Sequence, residues 1–247
     1  DELFRAGKEL GQDYIATGHY AIVEHGEDGR YKLKKAVDLS KDQSYVLYSL
    51  SQEQLSHTMF PLGSMHKSET RKIAEAHGFI SAKRKESQDI CFIPDGDYAS
   101  FIERYTGKKI ASGNFVDMDG NILGIHKGII HYTVGQRKGL GLALKHPMYV
   151  QYIDAQNIEV VLGSNEDLFK TELTAHNFNW VSIACPDAPF RAKARIRYKH
   201  KEAPATITPI SETEVKIVFD EPQRAITKGQ SVVVYDGDYV VGGGKIV

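Results

Sequence analysis

Cysteine is scarce in this sequence of 247 residues: there are two, Cys91 and Cys185. Two are too few for a disulfide framework, and no Cys-x-x-Cys pair offers metal-ligand spacing. A reducing, cytoplasmic setting is therefore expected. Long apolar runs are missing as well, and no stretch approaches the roughly 18 residues that a membrane span requires. Neither sign of charge is in excess, with 31 basic and 32 acidic residues and a net charge of −1. That balance excludes a polycation that coats any nucleic acid, but not a basic stripe on one face. There is no internal repeat and no low-complexity linker. The first residue is Asp1, not Met, and the residues after it already read as turns of an amphipathic helix. The chain is therefore expected to begin inside a larger protein.

What remains is an ordinary globular composition, 41% hydrophobic and 26% charged, long enough for one to three domains. Glu2 to Leu10 reads as a helix closed by Gly11. Tyr14–Thr17 reads as a short buried strand ending at Gly18-His19-Tyr20. A helix followed by a buried strand is the grammar of an open α/β sheet, whose ligands collect beyond the strands' carboxyl ends. Gly18 and His19 would sit there, although on the residues alone a turn glycine and a satisfied surface histidine are the favoured readings. Tyr31–Lys35 alternates like a strand. Ser51-Gln52-Glu53-Gln54 matches a capping box. A helix from Ser68 to His77 would turn Ile73 and Ala74 inward. Asp97 would cap a helix with Tyr98, Phe101, Ile102 and Tyr105 on its apolar face, stopped by Gly107.

Beyond Lys108 the pattern is strand and turn. Asp119-Gly120 is a hairpin signal. Ile129–Val134 reads as a strand, followed by the loop Gly135-Gln136-Arg137-Lys138-Gly139-Leu140-Gly141. That loop is basic and flexible enough to approach phosphate, but its spacing matches neither a Walker loop nor a dinucleotide fingerprint. Met148–Ile153 and Ile158–Leu162 complete one small β domain. From about Thr171 a second follows, with strands at Arg191–Tyr198, Thr206–Ile210, Val215–Phe219, Ser231–Tyr235 and Tyr239–Val241, spaced as in a small barrel.

Two features carry chemistry. Cys91 lies in the run Ile90-Cys91-Phe92-Ile93, directly after Lys83, Arg84 and Lys85 and the segment that begins at Ser87. A cysteine in such a strand packs as a small hydrophobe, whereas nearby cations would favour the reactive thiolate. On the residues alone both readings stand. Arg191, Lys193, Arg195, Arg197, Lys199 and Lys201 recur at every second position, so on one continuous strand all six would share a face. That face is either an edge blunted by charge or a surface for a phosphate backbone. Cys185, before Pro186, has no comparable surroundings.

Taken in order, Asp13-Tyr14-Ile15-Ala16-Thr17-Gly18-His19-Tyr20, Lys41-Asp42-Gln43-Ser44-Tyr45, Ser87-x-Asp89-Ile90-Cys91-Phe92-Ile93, His131-Tyr132-Thr133-x-Gly135-Gln136-Arg137-Lys138-Gly139-Leu140-Gly141 and Gly229-Gln230-Ser231 resemble the tRNA-specific 2-thiouridylases, the MnmA/TrmU family. The resemblance runs along essentially the whole chain. It implies an α+β multidomain fold: part of a Rossmann-like α/β domain of the adenine nucleotide α-hydrolase type over 1–107, a small β domain over 108–170, and a tRNA-binding β-barrel over 171–247. It also implies a sulfurtransferase that replaces the 2-oxygen of the wobble uridine with sulfur. ATP, with Mg2+ expected beside it, would adenylate that oxygen. A cysteine persulfide would then deliver sulfur to the ring carbon, and a second cysteine would release it by forming a disulfide.

Carried over residue by residue, Cys91 resembles the persulfide-bearing cysteine and Gly18 a backbone contact to ATP. His19, Lys41, Asp42, Gln43, Arg197, Tyr198 and Gln230 resemble tRNA contacts. The implied partners are tRNA and a sulfur-donor protein of the cysteine desulfurase system, with no membrane. The family's Ser-Gly-Gly-Val-Asp-Ser type pyrophosphatase loop and its first catalytic cysteine are not among these residues, and Cys185 is not assigned that role. The chain thus resembles the C-terminal part of the enzyme, lacking roughly a hundred residues, about one small domain, and is expected to be inactive alone. Two rivals are a non-catalytic tRNA-binding module and a cysteine hydrolase pairing Cys91 with one of ten histidines.

Overall fold

The computed structural model describes residues 2–83, 93 and 96–247. The chain forms two compact units: Asp1–Arg84 with Thr171–Glu221 and Lys228–Val247, and Lys85–Lys170 with Pro222–Thr227.

The first unit opens with α1 (Glu2–Glu9), closed by Gly11 at a φ of 67°. β1 (Ile15–Ala16) follows, then the hairpin β2 (Ala21–His25) and β3 (Tyr31–Lys35), the short helices α2 (Ser44–Leu47) and α3 (Gln52–Ser56), β4 (Thr58–Met59) and α4 (Lys67–Ala76). β1 and β4 pair in parallel, Ile15 with Thr58 and Ala16 with Met59. The α/β part of the described residues is thus one two-residue parallel pair. The Tyr14–Thr17 strand is shorter and more open than expected, with Tyr14 and Ala16 exposed. Helix α3 carries the expected capping box, with Ser51 Oγ accepting from Gln54 N and Gln54 Oε1 from Ser51 N. Helix α4 is present but buries no residue: Ile73, expected to face inward, is 48% exposed. Ala74, the other residue expected to face inward, is half-buried.

In the second unit Asp97 caps α5 (Tyr98–Thr106) by accepting from Ser100 N, and Gly107 ends the helix in the left-handed region. Of its expected apolar face, Tyr98, Ile102 and Tyr105 are exposed. The unit's four-stranded sheet has the order β6 (Ile122–His126), β5 (Gly113–Val116), β8 (Glu159–Gly163), β7 (Tyr149–Asp154). Phe115, Tyr132, Leu140, Val150, Val160 and Leu162 form its core. The strand expected at Ile129–Val134 is instead one 3-10 turn, Ile129–His131, leading into a loop. Gly128 and Ile129 accept from His131 N and Tyr132 N there, and these local bonds replace a ladder.

The remaining strands belong to the first unit's barrel: β9 (Phe169–Trp180), β10 (Phe190–Arg195), β11 (Ala203–Ser211), β12 (Glu214–Arg224), β13 (Ser231–Asp236) and β14 (Tyr239–Ile246). They run in the order β13-β10-β11-β12-β9-β14, and β13 also pairs with β14, which closes six strands on themselves. Closure removes the unpaired edges that an open sheet would expose. β3 pairs outward from β14, Lys34 opposite Tyr239, so the N-terminal hairpin extends the barrel sheet. The long strand β9 has no counterpart in the sequence reading, where a gap stood between Thr171 and Arg191.

A shared core locks these parts together. Ala21, Leu33, Tyr45, Leu47, Tyr48 and Leu55 pack with the barrel residues Val181, Val233, Tyr235 and Val240. Each large side chain buried this way contributes about 1.5–3 kcal/mol. The docking depends on a close approach: a Cβ on Gly243 would lie 2.6 Å from the Tyr48 ring and 2.8 Å from Val232 O.

Candidate nucleic-acid interface

The core just described seats α2 against the barrel wall, and so fixes the polar turn before it. Asp42 is buried, and both oxygens of its carboxylate accept hydrogen bonds. Oδ1 accepts from Ala36 N at 3.1 Å and Ser44 N at 3.2 Å, and Oδ2 accepts from Ser44 Oγ at 2.8 Å. The side chain therefore holds the turn's shape. Gln43 ties the turn to the Gly18-His19-Tyr20 segment: its Oε1 accepts from Tyr20 N at 3.0 Å, and its N donates to Tyr20 O at 2.8 Å. His19 Nδ1 lies 2.8 Å from Thr17 Oγ1, and its ring meets Phe60 edge-on. Gly18 follows the end of β1 and is exposed; a Cβ there would meet only Leu62, at 3.8 Å. Lys41 N donates to Asp38 O.

On the barrel side, the alternating basic strand is shorter than its pattern. β10 ends at Arg195, and Arg197 to His200 form a turn in which His200 N donates to Arg197 O at 3.0 Å. The six cations therefore do not share one strand face. Arg191 is paired with Asp220, at 2.5 Å. Local bonds outcompete the ladder past Arg195. Tyr198 Oη donates to Asp42 O at 3.2 Å, the Arg195 guanidinium donates to Tyr198 O, and Lys35 holds Glu202 at 2.7 Å. Arg195 also lies over the rings of Tyr45 and Tyr198, at 5.4 and 5.5 Å, an arrangement worth roughly 0.5–2 kcal/mol per ring. Tyr45 Oη donates to Ser231 O at 2.8 Å, next to exposed Gln230.

Four separate stretches, at 18–20, 41–45, 195–198 and 230–231, thus meet in one unit. The groups around them are electrostatically tuned. Burial, with Tyr48 close by, pushes the Tyr45 phenol up to about 12. Burial also raises Tyr235, whose Oη is 3.4 Å from Ser44 Oγ. Burial, then the charges of Arg197 and Arg195, press His200 below its ordinary value. Sequence reasoning missed Arg195 as a group stacked over Tyr45 and Tyr198; it appeared there only as one cation of the alternating run. Cys91 lies outside the described residues, as do Arg84, Lys85 and Ser87–Ile90. Cys185 is a free, half-buried thiol in an irregular stretch.

Comparison with known sequences decides the family. The chain is 53% identical over all its 247 residues to the tRNA-specific 2-thiouridylase MnmA of Clostridioides difficile, covering 68% of that protein. It belongs to the tRNA-specific 2-thiouridylase family. The MnmA proteins of Acetivibrio thermocellus and Halothermothrix orenii are 53% and 51% identical over 100% and 99% of the chain, which covers 69% and 68% of them. Three family models match in sequence: a tRNA methyl transferase HUP domain over residues 1–95, a tRNA methyl transferase PRC-barrel domain over 99–164, and an aminomethyltransferase β-barrel domain over 170–246. As a 2-thiouridylase family member the chain has the α+β multidomain fold expected of it. No helix among the described residues is long and apolar enough to cross a membrane.

Proposed function

We propose that this chain serves tRNA 2-thiolation of the wobble uridine, with the 41–45, 195–198 and 230–231 stretches gripping the tRNA. The convergence of these stretches on the Asp42–Tyr198 hydrogen bond is the observation that supports this most directly. In this reading Lys41 and Arg197 supply cationic contacts, and His19, Gln43, Tyr198 and Gln230 contact the anticodon arm. Asp42 acts through its neighbours, because its carboxylate is buried and already accepts three protein hydrogen bonds. The basic contacts position the RNA without reading its sequence, and the target base leaves its stack to be reached.

Cys91 carries the transferable sulfur in this reading, received from a cysteine desulfurase system. Lys83, Arg84 and Lys85 precede it in sequence, and cations favour the ionised form of a sulfur nucleophile. ATP would approach the exposed backbone of Gly18, where an added Cβ would meet only Leu62, at 3.8 Å, and when bound it supplies the adenylyl group that makes the uridine oxygen a leaving group. Among the described residues no group of three or more His, Cys, Asp or Glu is arranged to hold a metal. The setting is cytoplasmic, and the functional division is 1–107, 108–170 and 171–247.

Mass spectrometry of the chain after incubation with a persulfide donor tests the reading. One added sulfur atom on Cys91, with Cys185 unmodified, supports it. Equal loading of both thiols, or none, leaves a tRNA-binding module, provided that tRNA still binds.

A further inference from the structure

The glycine-rich loop after Tyr132 takes no part in the network above, yet it is held as firmly. Gln136 Oε1 accepts from Thr133 N, and Gln136 Nε2 donates to Lys138 O, both at 3.0 Å. Val150 N donates to Gln136 O and Gly135 N to Val150 O, at 3.0 and 2.7 Å. Arg224 donates to Gly135 O and lies over the Tyr149 ring. Leu140 anchors the middle of the loop in the unit's core.

From this frame hangs a hollow of about 510 Å3, running from Arg137 to Met148. Arg137 and Lys145 line it, and no carboxylate does. Among the described residues neither of them, nor Lys138 beside them, makes an ion pair, whereas Lys34, Lys35 and Lys216 hold carboxylates at 3.2, 2.7 and 2.9 Å. From Gly141 to Met148, moreover, no backbone N–H donates to a protein acceptor among the described residues. Unpaired cations beside backbone amides that have no protein acceptor form an anion site. Arg137, Lys138 and Lys145 are all exposed, and half-buried Leu142, Leu144 and Met148 add apolar surface to the same lining. That layout suits a chain of phosphates separated by sugars better than a single free anion.

We propose that this hollow binds the phosphate backbone of RNA, and so positions the tRNA independently of its sequence. The proposal rests on the tRNA reading above and adds a site in the other unit. It is tested by replacing Arg137, Lys138 and Lys145 together with alanine and measuring tRNA affinity across a salt series. The expected result is a loss of about tenfold or more, alike for every tRNA, with the slope of log K against log salt shallower by about 2–3. In the unaltered chain, tRNA should also slow hydrogen exchange at the amides of Gly141 to Met148. An unchanged slope together with unprotected amides overturns this site alone. So does protection by inorganic phosphate or ATP but not by tRNA. Failure of the unaltered chain to bind any tRNA overturns the parent reading as well.

Discussion

Tyr198 donates its phenolic hydrogen to the backbone carbonyl of Asp42 at 3.2 Å, across 156 positions of sequence. This bond joins a turn of the N-terminal segment to a turn of the barrel, and both turns carry residues proposed to contact tRNA. Replacing Tyr198 with Phe keeps the ring against Tyr45 and Arg195 but removes the bond. The expected cost is about 1 kcal/mol of stability, read from urea unfolding, with a several-fold weaker tRNA affinity in filter binding. Unchanged affinity would mean that the two turns act separately.

Asp42→Ala should be costlier. It leaves the Ala36 and Ser44 amides and the Ser44 hydroxyl without their acceptor in a buried place, and each unsatisfied group costs about 1–3 kcal/mol before relaxation or water entry. A urea midpoint close to that of the unaltered chain would contradict this structural role.

Gly243→Ala tests how the site is seated. The added methyl would press on both the Tyr48 ring and Val232 O, and overpacking of this kind costs about 1–3 kcal/mol. The loss should appear in thermal unfolding together with weaker tRNA binding, because Tyr48 belongs to the core that holds α2. A lower melting temperature with full tRNA affinity would separate the core from the site.

Much of this was legible in the sequence, for physical reasons. The capping box at Ser51, the Asp97 cap and the Asp119-Gly120 turn are short-range signals whose partners lie within a few residues, and each is present as read. The basic strand failed because period-2 alternation reports a face only while the strand lasts. Past Arg195 the chain is held by Tyr198, Asp42, Lys35 and Glu202, contacts that no local window contains. The Ile129–Val134 strand failed likewise, since periodicity alone does not separate so short an apolar run from a half-buried helical turn. Ile73 was placed inward on spacing alone, and spacing does not say that a partner surface exists.

Stability should fall at both ends of the pH scale. The folded His200 ring resists protonation, so below its ordinary value of 6.5 the unfolded chain takes up a proton first, and stability falls as pH falls through that value. Tyr45 behaves in the opposite sense. Its folded phenol keeps its proton up to about 12, while the unfolded one loses it near 10.0, so its contribution is complete below pH 10 and shrinks from there to about 12. Urea midpoints across this range check both limbs. Tyr45→Phe should flatten the alkaline limb and leave the acid one unchanged.

The most direct measurement is photo-crosslinking of the chain to a tRNA carrying a photoreactive uridine at the wobble position, followed by peptide mapping. The crosslinked peptides should contain the 41–45, 195–198 or 230–231 stretch, and Arg197→Ala should reduce their yield. Crosslinks confined to other parts of the chain, at equal yield with and without Arg197, would contradict the account.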